Sequence, residues 1–179
     1  MCQGCLTALQ SAAPFVHPLR YLSTIDSVTP YQGSAKDLVW LLKSGGARTA
    51  ATVMAATMTS YVSKGYLLMP APTATSHVRQ RGYDQAKLIA RQLSRSTRLP
   101  YLEALGRLGQ IHQVGATRQQ RLRQLHNAFF IKKPRLVAGA KIILIDDVVT
   151  TGATLELAAK ALLEAGATEV RALTFAQTP

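Results

Sequence analysis

The sequence contains little cysteine, few acidic residues and no long apolar run, and each shortage narrows what the chain can be. Its two cysteines, Cys2 and Cys5, form a single CxxC at the extreme N-terminus. One CxxC is half of a tetrahedral zinc site, and completing it needs two more nitrogen or sulfur ligands. None of the four histidines, His17, His77, His112 and His126, lies at finger-like spacing from the pair. A thioredoxin-type redox role would want the CxxC after a strand and opening a helix. The pair therefore reads as two unligated thiols, with Zn2+ expected only if the N-terminal module is complete. No stretch approaches the roughly 20 apolar residues of a spanning helix. The start, Met-Cys-Gln-Gly-Cys, lacks the charged opening and apolar run of a secretory signal. The expectation is a soluble, cytoplasmic protein with no membrane partner.

Acidic residues are the second shortage: 9 of them face 21 Lys and Arg, a net charge of +12. The imbalance is local. Arg79 to Arg135 holds 13 of the cations against Asp84 and Glu103 alone, a sum of +11, so the rest of the chain is almost neutral. Such a block implies polyanionic partners, either the phosphates of a small ligand or nucleic acid, with a solvated basic face as the bland alternative. Aromatic residues that could stack on bases are scarce in the block, Tyr83 and Tyr101 being the candidates.

With 179 residues, 47% of them hydrophobic, the chain can bury one sizeable core, so one domain with a small appendage is expected. Ala35, Leu38, Val39 and Leu42 share one helix face, and Gly45-Gly46 ends that helix. Ala50, Val53, Met54, Met58 and Tyr61 repeat the spacing, which predicts a second helix over Ala47–Lys64. Tyr66–Met69 is a short buried strand opening into a rigid Pro70-Ala71-Pro72 loop. Ala86, Ile89, Ala90 and Leu93 form a further helical stripe, with Lys87, Arg91 and Arg95 on the opposite face. Arg107 to Gln124 loses its apolar content and reads as a long functional loop or as disorder. Ala128–Ile131, Lys141–Ile145 and Val170–Phe175 read as strands. The Lys141–Ile145 run is continuous in β-branched residues and Leu, as in a strand buried on both faces. Thr154 is expected to cap a helix reaching Ala165, closed by Gly166. Strand–helix–strand alternation with short links implies an α/β fold, an open parallel sheet covered by helices on both faces.

The informative stretch runs from Ile142 to Thr154: four apolar residues, then Asp146-Asp147-Val148-Val149, then Thr150-Thr151-Gly152-Ala153-Thr154. Open parallel sheets bind ligands beyond the carboxyl ends of their strands, where the two carboxylates fall. Adjacent strand residues point to opposite faces, so both can reach one sugar only if the chain turns there, and Thr150-Thr151-Gly152 supplies a turn. The loop's hydroxyls and N–H groups, with the helix N-terminus, make a cradle for a dianionic phosphate. Gly152 allows close approach or positive φ. Carboxylates accept hydrogen bonds from ribose hydroxyls, which a phosphate cannot donate. The arrangement reads as one sugar-phosphate site. A Mg2+-binding acidic strand end, as in response-regulator receivers, would leave the Thr/Gly loop unexplained.

This segment resembles the phosphoribosyl pyrophosphate (PRPP) motif of type I phosphoribosyltransferases at nearly every position. The likeness extends to the ComF family: Pro70-Ala71-Pro72, then Arg79 and Arg81-Gly82-Tyr83-Asp84-Gln85-Ala86, look like its P-x-P loop and R-G-[FY]-N-Q-A element. Gln113, Arg121 and Phe129 look like its Q…R…N…F segment, and Leu42-Lys43-Ser44-Gly45-Gly46 resembles its K-[FY]-x-G element. Asp84 stands where that family mostly has Asn, Gln124 replaces the Asn of the Q…R…N segment, and Ala74 takes a place often held by His. The resemblance implies a type I phosphoribosyltransferase fold over residues 21–179, with 1–20 a remnant of a zinc module or hood segment. It implies that Asp146 and Asp147 orient the ribose and stabilise charge in transfer, and that Val148 and Thr150–Thr154 bind the 5′-phosphate. It places pyrophosphate on Thr73, Ala74, Thr75 and Ser76, aided by Arg79 and Arg81, under a mobile loop at Arg107–Gln124.

Two functions follow from the resemblance, beside a third and blander one, a PRPP-sensing regulator without catalysis. One is Mg2+-dependent transfer of ribose 5-phosphate from PRPP to an acceptor that no residue pattern marks; a nucleobase-salvage enzyme would be of this kind. The other is a role in natural competence and DNA uptake. There the pocket takes a nucleotide or DNA end, and Lys87, Arg91, Arg95, Arg118, Arg121 and Arg123 track single-stranded DNA. Competence or DNA-processing proteins, and a second copy of the chain in a homodimer, are the partners this reading allows. The competence-type protein with a working PRPP site ranks first.

Overall fold

The computed structural model describes residues 9–73, 75–107 and 129–178. In chain order its elements are β1 (Ile25–Pro30), α1 (Gly33–Lys43), α2 (Ala50–Met58), β2 (Tyr66–Pro70), α3 (Thr75–Arg81), α4 (Gln85–Thr97), β3 (Leu105–Arg107), β4 (Phe129–Ile131), α5 (Pro134–Val137), β5 (Lys141–Val149), α6 (Ala153–Glu164) and β6 (Glu169–Gln177). Four strands form a parallel sheet in the order β1-β6-β5-β2, while β3 and β4 pair antiparallel on their own. Among the described residues, no helix is long and apolar enough to cross a membrane.

The sheet is central because β5 is apolar on both faces. Alternation sends Ile143 and Ile145 into one core and Ile142 and Leu144 into the other. The first core is closed by Leu38 and Leu42 of α1, Met54 and Met58 of α2, and Ile89 and Leu93 of α4. Leu155, Ala158 and Leu162 of α6 close the second. Helices thus cover both faces, as the strand–helix alternation implies, and the carboxyl ends of β5 and β2 are left open as a shelf.

Several expected boundaries move for physical reasons. The helix expected over Ala47–Lys64 is regular only at Ala50–Met58 and tightens to a 3-10 turn at Thr59–Tyr61. Thr57 and Thr59 hydroxyls donate back to the carbonyls of Met54 and Ala56 at 2.8 Å, a local competition that loosens a helix end. β5 runs four residues beyond Ile145, so the acidic pair lies within the strand and the turn comes after it. Gly152, at φ 75°, is the N-cap of α6, and Thr154 sits inside the first turn instead of capping it. The strand β1 has no counterpart in the sequence reading. The loop expected from Arg107 has its first residue paired in β3, and the remainder lies outside the described residues.

Residues 9–24 form no regular element but are tied to the sheet. The carboxylate of Glu156, in the first turn of α6, accepts the backbone N–H groups of Arg20, Tyr21 and Leu22, each at 3.0 Å. Gln177 Nε2 donates to the Ala13 carbonyl at 2.8 Å, and Phe15 lies over Gly152.

Candidate functional site

Because the turn follows β5 directly, the chain leaves the sheet at Thr150 and re-enters a helix at Ala153, which puts the Thr/Gly loop beside the strand's carboxyl end. A cavity of about 260 Å³ opens there. Thr150, Thr151, Gly152, Ala153 and Thr154 line it from the α6 side, Asp146, Asp147 and Val148 from β5, and Pro72, Thr73, Arg81, Gln85 and Arg107 from the β2 side, with Lys43 reaching in from the end of α1. The hydroxyl residues Thr150, Thr151 and Thr154 are exposed to it, and α6 presents its positive end. Gly152 is fixed as glycine twice over. Its φ is +75°, and a Cβ there would lie 3.1 Å from both Ile25 Cδ1 and Phe15 Cζ.

The two carboxylates have different surroundings. Asp147 is 5% exposed, and its Oδ2 lies 3.0 Å from Lys43 Nζ, out of line for a hydrogen bond, so the pair is electrostatic. Asp146 is half-buried and its Oδ1 accepts the backbone N–H of Asp147 at 2.8 Å. Burial, and then the Asp147 charge, push the Asp146 carboxyl well above the usual carboxylate range, against the pull of that N–H and of Lys43. Strand alternation would send the two side chains to opposite faces. They share one cavity because it opens across the strand end.

The residues expected to hold pyrophosphate are divided. Thr73 is half-buried, and its hydroxyl donates to Asp84 Oδ1 at 3.2 Å. Ala74 lies outside the described residues, while Thr75 and Ser76 open α3, so the pyrophosphate loop implied by the resemblance runs into a helix there. Arg81 lines the cavity and donates to Gln85 Oε1 at 3.2 Å. Arg79 instead lines a second cavity, about 390 Å³, behind the Pro72-Thr73 wall, together with Asp84, Glu103, Arg107, Phe130 and Lys132. Asp84 caps α4 through the Lys87 N–H at 3.2 Å, and burial raises its pKa despite that bond. Asp84 thus does locally what an Asn could also do.

The proposed nucleic-acid stripe is partly neutralised. Lys87 and Arg91 both pair with Glu103, at 2.9 and 2.7 Å. Burial pushes the Glu103 carboxyl up, but hydrogen bonds from Tyr101, Lys87 and Arg91 outweigh it and bring its pKa down to about 2. Arg95 is exposed, and Arg118, Arg121 and Arg123 lie outside the described residues. Tyr101 is bonded to Glu103, and Tyr83 donates to the Leu42 carbonyl with Arg48 over its ring at 4.9 Å. Sequence reasoning left Glu103 unused, although it is one of two acids in the basic block. It also left Lys43 and Gln85 without roles, since nothing local ties α1 or the start of α4 to the acidic pair. Cys2 and Cys5 lie outside the described residues, among which no group of three or more His, Cys, Asp or Glu could hold a metal ion.

A parallel sheet with an acidic strand end, a hydroxyl-rich loop and a helix N-terminus around one cavity defines a phosphoribosyltransferase-type protein. In agreement, residues 78–179 match the phosphoribosyl transferase domain family, to which the chain belongs. Within that family it is similar to ComF-type competence proteins. It is 39% identical to competence protein ComFC of Bacillus subtilis (strain 168), over 59% of this chain and 42% of the relative. It is 35% identical to competence protein F of Haemophilus influenzae, over 56% of this chain and 46% of the relative. The chain thus spans under half the length of these curated relatives. The fold is similar to glutamine PRPP amidotransferase from B. subtilis complexed with ADP and GMP, at TM-score 0.53 and 17% identity, over 71% of this chain and 26% of that one. It is also similar to a structure described as the allosteric regulatory enzyme of purine biosynthesis, at TM-score 0.52 and 18% identity, over 71% and 25%.

Proposed function

We propose that this chain binds PRPP or a nucleoside 5′-phosphate together with Mg2+, as part of a protein acting in natural competence. The observation that carries the binding reading is one cavity joining Asp146 and Asp147 to the Thr150–Thr154 loop on one side and to Lys43 and Arg81 on the other. Anion donors bracket a carboxylate pair, an arrangement suited to phosphate, ribose hydroxyls and a second anionic group in that order. The names of the two curated relatives support the competence role.

The donor set fits a hard cation. Asp146 and Asp147 offer carboxylate oxygens, and Asp147 Oδ2 is buried without a hydrogen bond. These two side chains would hold Mg2+, the remaining ligands being water and phosphate oxygens, since no third acid joins them among the described residues. The ion would neutralise charge on a departing pyrophosphate. In a transfer reaction the chain's own residues would orient the ribose, through Asp146 and Asp147, and hold the 5′-phosphate, through the Thr150–Thr154 loop. Arg81 and Lys43 would attract the pyrophosphate. A nucleobase-salvage transferase is the alternative, and pyrophosphate release from PRPP across a panel of bases, with and without single-stranded DNA, separates the two.

The test of binding is a thermal melt. PRPP or AMP with Mg2+ raises the melting temperature of the wild type, because a ligand of the folded state stabilises it by mass action. Asp146→Asn with Asp147→Asn abolishes that rise while the fold survives. An unchanged rise in the double variant removes the carboxylates from the site.

Single-stranded DNA is a second ligand favoured by one observation. Phe130 is 42% exposed at the second cavity, its ring against Gly106, with Lys132 Nζ 5.9 Å from the ring centroid. An ordered aromatic face beside Arg79, Arg107 and Lys132 suits a stacked base and its phosphates better than the Glu103-bound stripe does.

A further inference from the structure

Gln85, the first residue of α4, is 2% exposed, and its Nε2 has no hydrogen-bond partner among the described residues. Buried amide donors are nearly always satisfied, and leaving one empty costs free energy that a fold retains only for a reason. The orientation of the amide is dictated. Arg81 Nη1 donates to Gln85 Oε1 at 3.2 Å, and turning the amide over would set two donors against each other. With Oε1 held by Arg81, both Nε2–H bonds are left for something else. Gln85 lines the 260 Å³ cavity alongside Lys43, Thr73, Arg81 and Arg107.

The chemistry of the cavity points to what Nε2 awaits. Lys43, Arg81 and Arg107 bring cations and Thr73 a hydroxyl to a lining that also holds Asp146 and Asp147, and α4, 13 residues long and capped by Asp84, begins at Gln85 with its positive end. A neutral base edge would gain little among such neighbours, whereas an oxyanion would satisfy the amide and the cations together. The Thr150–Thr154 loop on the α6 side already suits the 5′-phosphate. We infer that Gln85 is a ligand-contacting specificity residue, whose Nε2 donates to the second anionic group of a ligand carrying one beyond its 5′-phosphate, a diphosphate on the ribose in the first instance. This rests on the binding reading above and adds to it a discriminator: the side chain separates ligands with two anionic groups from those with one.

The test compares PRPP with ribose 5-phosphate by calorimetry in Mg2+, on the wild type, Gln85→Leu and Gln85→Glu. Gln85→Leu should weaken PRPP about 10- to 100-fold, the worth of one hydrogen bond to a charged group, and leave ribose 5-phosphate within about twofold. Gln85→Glu keeps the oxygen that Arg81 bonds, so it safeguards the fold, but it sets an anion against an anion and should weaken PRPP at least as much. The melting temperature of unliganded Gln85→Leu should change little, since losing the bond from half-buried Arg81 is offset by removing an unsatisfied buried donor; a purely structural glutamine would lower it clearly. PRPP binding as tight as wild type in both variants, or equal losses for PRPP and ribose 5-phosphate, would overturn the assignment while leaving the binding reading standing. A wild type that binds neither ligand would overturn both.

Discussion

Glu156 should hold down the whole N-terminal segment, and removing it tests whether residues 9–24 are part of the folded unit. Its carboxylate accepts N–H groups from Arg20, Tyr21 and Leu22, each at 3.0 Å, and the side chain is half-buried in the first turn of α6. Hydrogen bonds to an ionised acceptor are each worth about 1.5–3 kcal/mol when well shielded. Partial exposure lowers that, because water can take over some of the donors. A total loss of about 2–4 kcal/mol for Glu156→Ala is the reasonable expectation. For a chain of this size one kcal/mol moves the melting temperature by about 2–4 °C, so the drop should be on the order of 5–15 °C. Glu156→Gln keeps one carbonyl acceptor and should lose about half as much. Thermal melts with urea titrations of the three proteins supply the measurement. A drop below about 2 °C for Glu156→Ala, with an unchanged urea slope, would mean that the segment contributes nothing to the cooperative unit, and the reasoning would fail.

Gly152→Val should lower both stability and phosphate binding, since it forces a β-branched residue to φ +75° and crowds Ile25 and Phe15 at 3.1 Å. A loss of about 2–3 kcal/mol in urea unfolding is expected, and a variant of wild-type stability would refute the glycine requirement. For the basic stripe, replacing Lys87, Arg91 and Arg95 together by Gln should flatten the salt dependence of single-strand binding by only about 0.7, the effect of one phosphate contact, because Glu103 already holds Lys87 and Arg91. Flattening by about two would show that the DNA displaces Glu103, and no detectable binding at low salt would end the nucleic-acid reading.

The legible parts of the fold were those with one-sided or unbroken apolar patterns. α1 and α4 carry clean helical stripes, Leu38, Val39 and Leu42 in one and Ile89, Ala90 and Leu93 in the other, and all six are buried. β5 was visible because its apolar run is continuous. β1 was hidden because it buries polar groups: Ser27 Oγ lies 2.7 Å from Thr174 Oγ1 between two buried strands, so Ile25–Pro30 shows neither alternation nor an apolar run. The Thr/Gly loop and its carboxylates were legible as one candidate site because all its parts are contiguous in sequence, and they line one cavity. Lys43 and Gln85 were not legible, since their place in the cavity depends on how α1 and α4 pack on the sheet. The N-cap of α6 was misplaced for a similar reason. Thr154 is a better capping residue than glycine by composition, but the turn needs positive φ at the residue before Ala153, and glycine meets that demand at least cost.

The same packing predicts that the acidic pair can be removed without losing the fold. Burial and the neighbouring Asp147 charge raise the pKa of Asp146, so the folded state holds its proton more tightly than the unfolded chain does. The sign follows directly: stability from this group is present at low pH and is lost as pH rises through the raised value, because the fold resists ionising a buried carboxyl beside Asp147. Asn at 146 removes that carboxyl. Asn at 147 leaves Lys43 without its partner, but the lysine side chain is 30% exposed and can be solvated in place. Neither change touches Ile142, Ile143, Leu144 or Ile145, which anchor β5 in both cores. The doubly substituted protein should therefore melt no lower than the wild type when unliganded, and a missing ligand-induced rise in that protein reports on the site and not on the fold.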